Sequence, residues 1–200
     1  SCGDGQVVWH RWGPATAGAR PSVVLLHGGS GSWTHWIRNI AALVATGRQV
    51  LVPDLPGFGD SAAPPGGGDA DAVAPALASG LAALLGDMPC DLVGFSFGGM
   101  TAGLLAAAHP ERVARLVVVG APAMGLATRR LVVLHPWRHL EDPDAREKVH
   151  RGNLAALMLY RPEAIDALAL RLHTDNVVRD RMQGRRLAYT EVLKQALLQL

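Results

Sequence analysis

The stretch that most constrains this chain is residues 91–110, DLVGFSFGGMTAGLLAAAHP. A short apolar run enters a turn at Gly94-Phe95-Ser96-Phe97-Gly98-Gly99. An Ala/Leu-rich segment leaves it and closes at His109-Pro110. The pattern predicts strand, tight turn, helix. The turn spells G-x-S-x-G, which holds a serine on a strained corner with its hydroxyl projecting beyond the strand end. Bulky side chains two positions to either side would clash, so Gly94 and Gly98 suit the corner. The amide of Phe97 opens the following helix and points toward the place where an oxyanion would form. Ser96 is therefore the candidate nucleophile, Phe97 a candidate oxyanion donor, and Phe95 a candidate lining residue of the adjoining pocket. With 23 glycines in 200 residues the pattern alone is weak, and its context must carry it.

The context agrees on both sides. Residues 23–27, VVLLH, form an apolar run without alternation, as in a parallel strand covered on both faces. The run ends in His27-Gly28-Gly29-Ser30-Gly31-Ser32, where backbone amides could approach an anion closely. Gly29 is the expected second oxyanion donor, with Ser30 as the alternative. His27 has no acid beside it in sequence and is read as a residue that pins the loop. Trp33 and Trp36 follow at helical spacing, and Trp33 is a second candidate for pocket lining.

The remaining segments extend the alternation. Residues 6–12, QVVWHRW, read as a strand in which His10 and Trp12 are sheet-face residues. Residues 49–53, QVLVP, form another strand, and Asp54 after it is read as capping backbone amides in a turn. Residues 62–70, AAPPGGGDA, are expected to be a mobile loop, and 72–86 a helix closed by Gly86. Residues 111–120, ERVARLVVVG, supply one more strand, expected to be buried on both faces. The whole implies an α/β fold, a doubly wound and mostly parallel sheet with ligands at the carboxyl ends of its strands.

After Met124 the character of the chain changes, and after residue 140 the apolar period becomes helical. Asp142-Pro143 starts one helix, in which Glu147 can meet Arg151 four residues on; Arg161-Pro162 starts a second, and YTEVLKQALLQL is a third. The expected organisation is a core over 1–124 and a helical cap or lid over 125–200. Arg171, Arg179, Arg181, Arg185 and Arg186 are read as a solvated face.

Composition sets the outer bounds. Hydrophobic residues make up 49% of the chain and charged residues 18%, so a sizeable core can be buried. The net charge of +2 comes from dispersed basic residues, which argues against a nucleic-acid surface. Two cysteines cannot build a disulfide framework. No stretch has the length and apolarity of a membrane span or a signal core, so a cytoplasmic protein is expected. No metal and no cofactor is expected.

The segments HGGSGSWTHW, PDLPGFGDS, and GFSFGG followed by HPERVARLVVVG resemble the α/β-hydrolase superfamily. The nearest resemblance is to bacterial serine hydrolases with a helical cap, among them carboxylesterases and the C–C hydrolases of meta-cleavage products. The resemblance implies a Ser-His-Asp hydrolase with Ser96 as nucleophile, and it matches Gly29 and Phe97 to the family's oxyanion positions. In that family the acid and then the histidine follow the nucleophile in the chain. Here no strand ending in Asp and no strand-terminal His follows the cap. His109 sits at the far end of the elbow helix, about 18 Å from Ser96 at about 1.5 Å per residue. His135, His139, His150 and His173 fall in the cap and are expected to be packing or surface residues.

The acid and base are therefore expected beyond residue 200 or on another chain. The 200 residues alone are expected to be inactive, with LVVVG as an open apolar edge, and a homo-oligomer or a second chain is expected to complete the fold. Three functions compete: a serine hydrolase of a small ester or related acyl substrate, a C–C bond hydrolase using the same machinery, and a non-catalytic binding protein of the same fold. The first is preferred, with a small molecule as the binding partner.

Overall fold

The computed structural model describes residues 2–14, 20–65, 68–126, 132–182 and 184–200. It contains two compact units, one formed by Ser1–Leu126 with Arg179–Leu200, the other by Ala127–Val178.

The first unit is built on a five-stranded sheet. In chain order the strands are β1 (Trp9–Trp12), β2 (Val23–Leu26), β3 (Val50–Pro53), β4 (Cys90–Phe95) and β5 (Val113–Val119), and their spatial order is β1-β3-β2-β4-β5. β1 runs antiparallel to β3, and the other pairs are parallel. Its helices are α1 (Ile37–Val44), α2 (Ala70–Leu85), α3 (Phe97–Ala108) and α6 (Val192–Leu197).

The apolar runs serve both faces of the sheet. Val24 and Leu26 of β2 pack in a large cluster with Leu51, Leu92, Leu77 of α2 and Leu105 of α3. The alternate residues Val23 and Leu25 join Val50, Val52 and Ile40 of α1 in a second cluster. A strand with layers on both faces cannot alternate apolar and polar residues, which is why VVLL and VLVP read as continuous runs.

Helix starts follow their capping residues. The Asp69 carboxylate accepts from the Ala70 amide at 2.8 Å and so caps α2. Its other oxygen accepts from the Arg186 and Leu187 amides at 2.5 and 2.8 Å. One buried carboxylate thus ties α2 to the segment that leads into α6. α6 then seats on α3 at Gly103, where an added Cβ would run into the Leu193 side chain.

Three expectations change. Arg179–Leu200 belongs with the sheet unit, whereas the expected cap placed 125–200 together. β5 is not covered on both faces: Arg115, Val117 and Val119 are exposed. The reason is position, because β5 ends the sheet and among the described residues no strand pairs with its outer side. The arginines are not one solvated face either. Arg179 pairs with Asp60 at 2.9 Å, and Arg181 donates to the carbonyls of Gly59 and Ser61 at 3.1 and 2.5 Å. Of the expected loop 62–70, residues 66 and 67 lie outside the described residues, as do cap residues 127–131 and 183.

The second unit is helical, with α4 (Pro143–Leu157) and α5 (Ala167–Val178). Asp142 caps α4 through the Asp144 and Ala145 amides at 3.3 and 3.2 Å. Glu147 meets Arg151 at 3.2 Å, as the spacing implied. The second expected helix is delayed: residues 162–164 form a 3-10 turn, and α5 begins after Asp166, whose carboxylate accepts from the Ala169 amide at 2.8 Å. Leu154, Ile165 and Leu170 form this unit's own small core.

Candidate active site

Ser96 stands between β4 and α3 with φ 53° and ψ −116°. A non-glycine residue at positive φ is costly and persists only where its surroundings over-determine it. Here they do. The Ser96 amide donates to the Val119 carbonyl of β5 at 2.8 Å, and its carbonyl accepts from the Gly99 and Met100 amides at 3.0 and 3.1 Å. The flanking glycines are a steric need. A Cβ at Gly94 would strike the Gly98 carbonyl, and one at Gly98 would strike the carbonyl oxygens of Leu26 and His27. Phe97 is the first residue of α3, so its amide lies outside the helix's own ladder.

The glycine-rich loop after β2 lies beside this corner. A Cβ added at Gly28 would sit 3.4 Å from the Ser96 Cβ, and one at Gly29 would sit 3.7 Å from the Phe97 Cβ. The loop is held by buried side chains. His27 Nε2 accepts from the Leu55 amide at 2.9 Å, which places the proton on Nδ1, 2.7 Å from the Gly28 carbonyl. Burial pushes the His27 pKa down to about 4 against a smaller upward pull from the Gly28 hydrogen bond. His27 is thus a neutral pin with both nitrogens committed, as the sequence suggested. Asp54 is a second pin. Its carboxylate accepts from the Trp33 amide at 2.8 Å and the Asp60 amide at 2.9 Å.

The candidate residues do not all converge. Phe95 packs its ring against Gly28 next to Ser96. Trp33 instead joins His10 and Trp12, with ring centroids 5.0 and 5.3 Å away. That cluster borders a hollow of about 370 Å³ lined also by Ile37 and Val44 of α1.

Two residues near the loop carried no motif. Asp180 accepts from the Ser30 hydroxyl at 2.5 Å, from the Met182 amide at 2.9 Å and from Arg185 at 3.1 Å. The Arg185 guanidinium lies against Gly29 and over the rings of Phe58 and Phe97, 5.5 and 5.7 Å from their centroids. The only sequence hint was arginine density after residue 170; contacts this distant in the chain leave no local pattern.

No hydrogen-bond partner meets Ser96 Oγ among the described residues, and His109 caps the far end of α3. No group of three or more His, Cys, Asp or Glu residues that could hold a metal occurs among the described residues. None of the described helices is long and apolar enough to cross a membrane. The arrangement offers a strained serine at a strand-to-helix junction, a helix-opening amide beside it, and a glycine loop with further amides.

Comparison with known proteins agrees with this layout. The model of the α/β-hydrolase fold family matches residues 21–192. A 2-hydroxy-6-oxo-6-phenylhexa-2,4-dienoate hydrolase of Burkholderia cepacia is 36% identical over 112 residues, 54% of this chain and 39% of that protein. A pimeloyl-[acyl-carrier protein] methyl ester esterase of Aeromonas hydrophila is 42% identical over 102 residues, 51% of this chain and 38% of that protein. These matches span about two fifths of the relatives' length. Among solved structures, a probable hydrolytic enzyme of Pseudomonas aeruginosa superposes with TM-score 0.64 at 26% identity, over 96% of this chain and 62% of that one. The fold, the elbow at Ser96 and the family match over residues 21–192 together place this chain in the α/β-hydrolase family.

Proposed function

We propose that this chain carries the nucleophile and oxyanion hole of a serine hydrolase acting on a small ester or related acyl substrate. The observation that supports this most is Ser96 at positive φ on the β4–α3 corner, with the Gly28–Gly29 loop beside it. In the proposed reaction Ser96 Oγ attacks the substrate carbonyl while its proton passes to a general base. The carbonyl oxygen becomes an anion that the amides of Phe97 and Gly29 stabilise, Ser30 being the alternative donor. Collapse expels the alcohol, and water then releases the acid from Ser96. The base and its acid partner are not among the described hydrogen-bond partners of Ser96, and His27 cannot serve because both its nitrogens are engaged. The helical unit is proposed to act as the cap. The similarity to the dienoate hydrolase keeps a C–C bond hydrolase as the second reading.

The test is covalent labelling. A fluorophosphonate should modify Ser96 and spare Ser30, Ser32 and Ser61, as read by peptide mass spectrometry. Labelling that survives Ser96→Ala would overturn the proposal. Turnover of a nitrophenyl ester against a ring-fission dienoate, each dependent on Ser96, separates the two readings.

A further inference from the structure

The helical unit holds a groove whose lining departs from ordinary helix packing. Arg146, His150 and Arg151 of α4 face it, as do Ala167, Leu170 and Arg171 of α5. Within each helix these positions recur at intervals of one, three and four, so each set is one stripe of its helix. Stripes between packed helices are ordinarily apolar, whereas these carry three guanidinium groups and one carboxylate, Glu147, which Arg151 neutralises. The groove encloses about 480 Å³, within the roughly 300–1,000 Å³ usual for small-molecule sites.

The cations are not equally compensated. Arg151 pairs with Glu147 at 3.2 Å, and Arg171 pairs with Asp175 at 2.8 Å. Arg146 has no carboxylate partner among the described residues. Its Nη2 donates to the Leu140 carbonyl at 2.5 Å, and its buried Nε has no hydrogen-bond partner. One turn along α4, His150 is buried between Trp137 and His173, with ring centroids 4.9 and 5.3 Å away. Neither of its ring nitrogens is hydrogen-bonded. Buried donors left without acceptors are rare and call for an explanation. The Nε–H of an Arg146 without a carboxylate partner and, one turn on, the single ring N–H of a neutral His150 call for an acceptor that carries negative charge.

We propose that the groove between α4 and α5 binds a small organic carboxylate, an acid head on a compact apolar body. Arg146 supplies the fork for the head and His150 a ring N–H, while Leu170 and Ala167 flank the body. Arg146 Nε and the His150 nitrogens are buried, and Nη2 is held by the Leu140 carbonyl, so binding requires both side chains to turn toward the groove. A metal cation is disfavoured by the same arginines. A bare inorganic anion would leave the apolar wall unused. The proposal does not rest on hydrolysis and is read by binding alone.

The experiment is an NMR titration of the 200-residue chain with sodium benzoate, with benzamide and inorganic phosphate as comparators. Benzoate should give saturable shifts at Arg146, His150, Ala167 and Leu170, and benzamide should bind about tenfold more weakly or worse. Arg146→Gln should weaken benzoate binding by about tenfold or more, and Arg146→Lys should fall between, since it keeps charge without the fork. Lys148→Gln, which removes the same charge from an exposed position on α4, should leave binding unchanged. No saturable shift, equal binding of benzamide, shifts confined to the surroundings of Ser96, or equal loss in Lys148→Gln would each overturn the proposal. Phosphate binding as tightly as benzoate would overturn the apolar body. If Arg146→Gln does not fold, the benzoate–benzamide comparison in the unaltered chain decides.

Discussion

The Ser30 hydroxyl donates to the Asp180 carboxylate at 2.5 Å across 150 residues of chain. Ser30 sits at φ 52° in the loop beside the elbow, and Asp180 lies in the segment that returns to the sheet unit after α5. The same carboxylate holds Arg185 at 3.1 Å, and Arg185 rests against Gly29. The loop proposed to hold the oxyanion is therefore braced from a part of the chain that motif reading assigned to the cap.

Removing that brace should cost stability. Asp180→Ala leaves the Ser30 hydroxyl, the Met182 amide and Arg185 without their acceptor, a loss of about 2 kcal/mol. For a chain of this size the melting midpoint should fall by roughly 4–8 °C. Calorimetry checks this, and Asp180→Asn, which keeps an acceptor oxygen, should fall by less.

Glycines at the corner and on the surface should answer alanine in opposite directions. Gly98→Ala forces a Cβ onto the backbone oxygens of Leu26 and His27, which cannot move aside without parting β2 from the elbow. The expected cost is about 3 kcal/mol or more. Gly152→Ala in α4 meets nothing within 4 Å and should stabilise the helix, by about 1 kcal/mol. Urea unfolding of the two variants, with circular dichroism as the readout, gives both signs.

His27 should make stability fall toward acid pH. Its folded-state pKa of about 4 lies below the ordinary imidazole value of 6.5, so between those values the unfolded chain binds a proton that the folded chain refuses. Stability rises with pH wherever the unfolded state holds more protons. The contribution is intact above pH 6.5 and is lost progressively as pH falls toward 4. His173, lowered to about 4 by burial and then by His150, acts with the same sign. His27→Gln should flatten the slope, because an amide can accept from Leu55 and donate to Gly28 without titrating. In NMR the His27 C2 proton should stay in its neutral position down to pH 5.

Cys90 should be inert in the folded chain. Burial, with the Asp91 charge as a lesser cause, pushes its thiol up to about 12. The thiolate is the reactive form. A chromogenic disulfide reagent at pH 8 should leave Cys90 unmodified in native protein and titrate it after denaturation, as read by peptide mass spectrometry.

Some of this was legible in the residues alone, for a physical reason. A strand buried on both faces must be apolar throughout, so VVLL and VLVP announced themselves. A serine forced to positive φ needs glycines around it, so the elbow was readable from six residues. A loop histidine without an acid neighbour reads as a pin, and Asp54 among Pro and Gly reads as a cap for backbone amides. All of these depend on interactions within a few residues or on periodicity.

Tertiary structure decided the rest. LVVV has the composition of a central strand, but β5 is the last strand of the sheet, and exposure follows from which strand lies next to it. Trp33 has the chemistry of a pocket wall, and β1 placed Trp12 beside it, so the hollow it lines is shared with Ile37 and Val44 of α1 and has no elbow residue in its wall. The return of Arg179–Leu200 to the sheet unit turns on Asp69 accepting the Arg186 and Leu187 amides and on Leu193 filling the space over Gly103. Partners more than a hundred residues apart, such as Ser30 and Asp180, or Asp69 and Leu187, impose no periodicity on the chain between them. They are set by the closure of the fold, where a buried carboxylate must find donors wherever the backbone brings them.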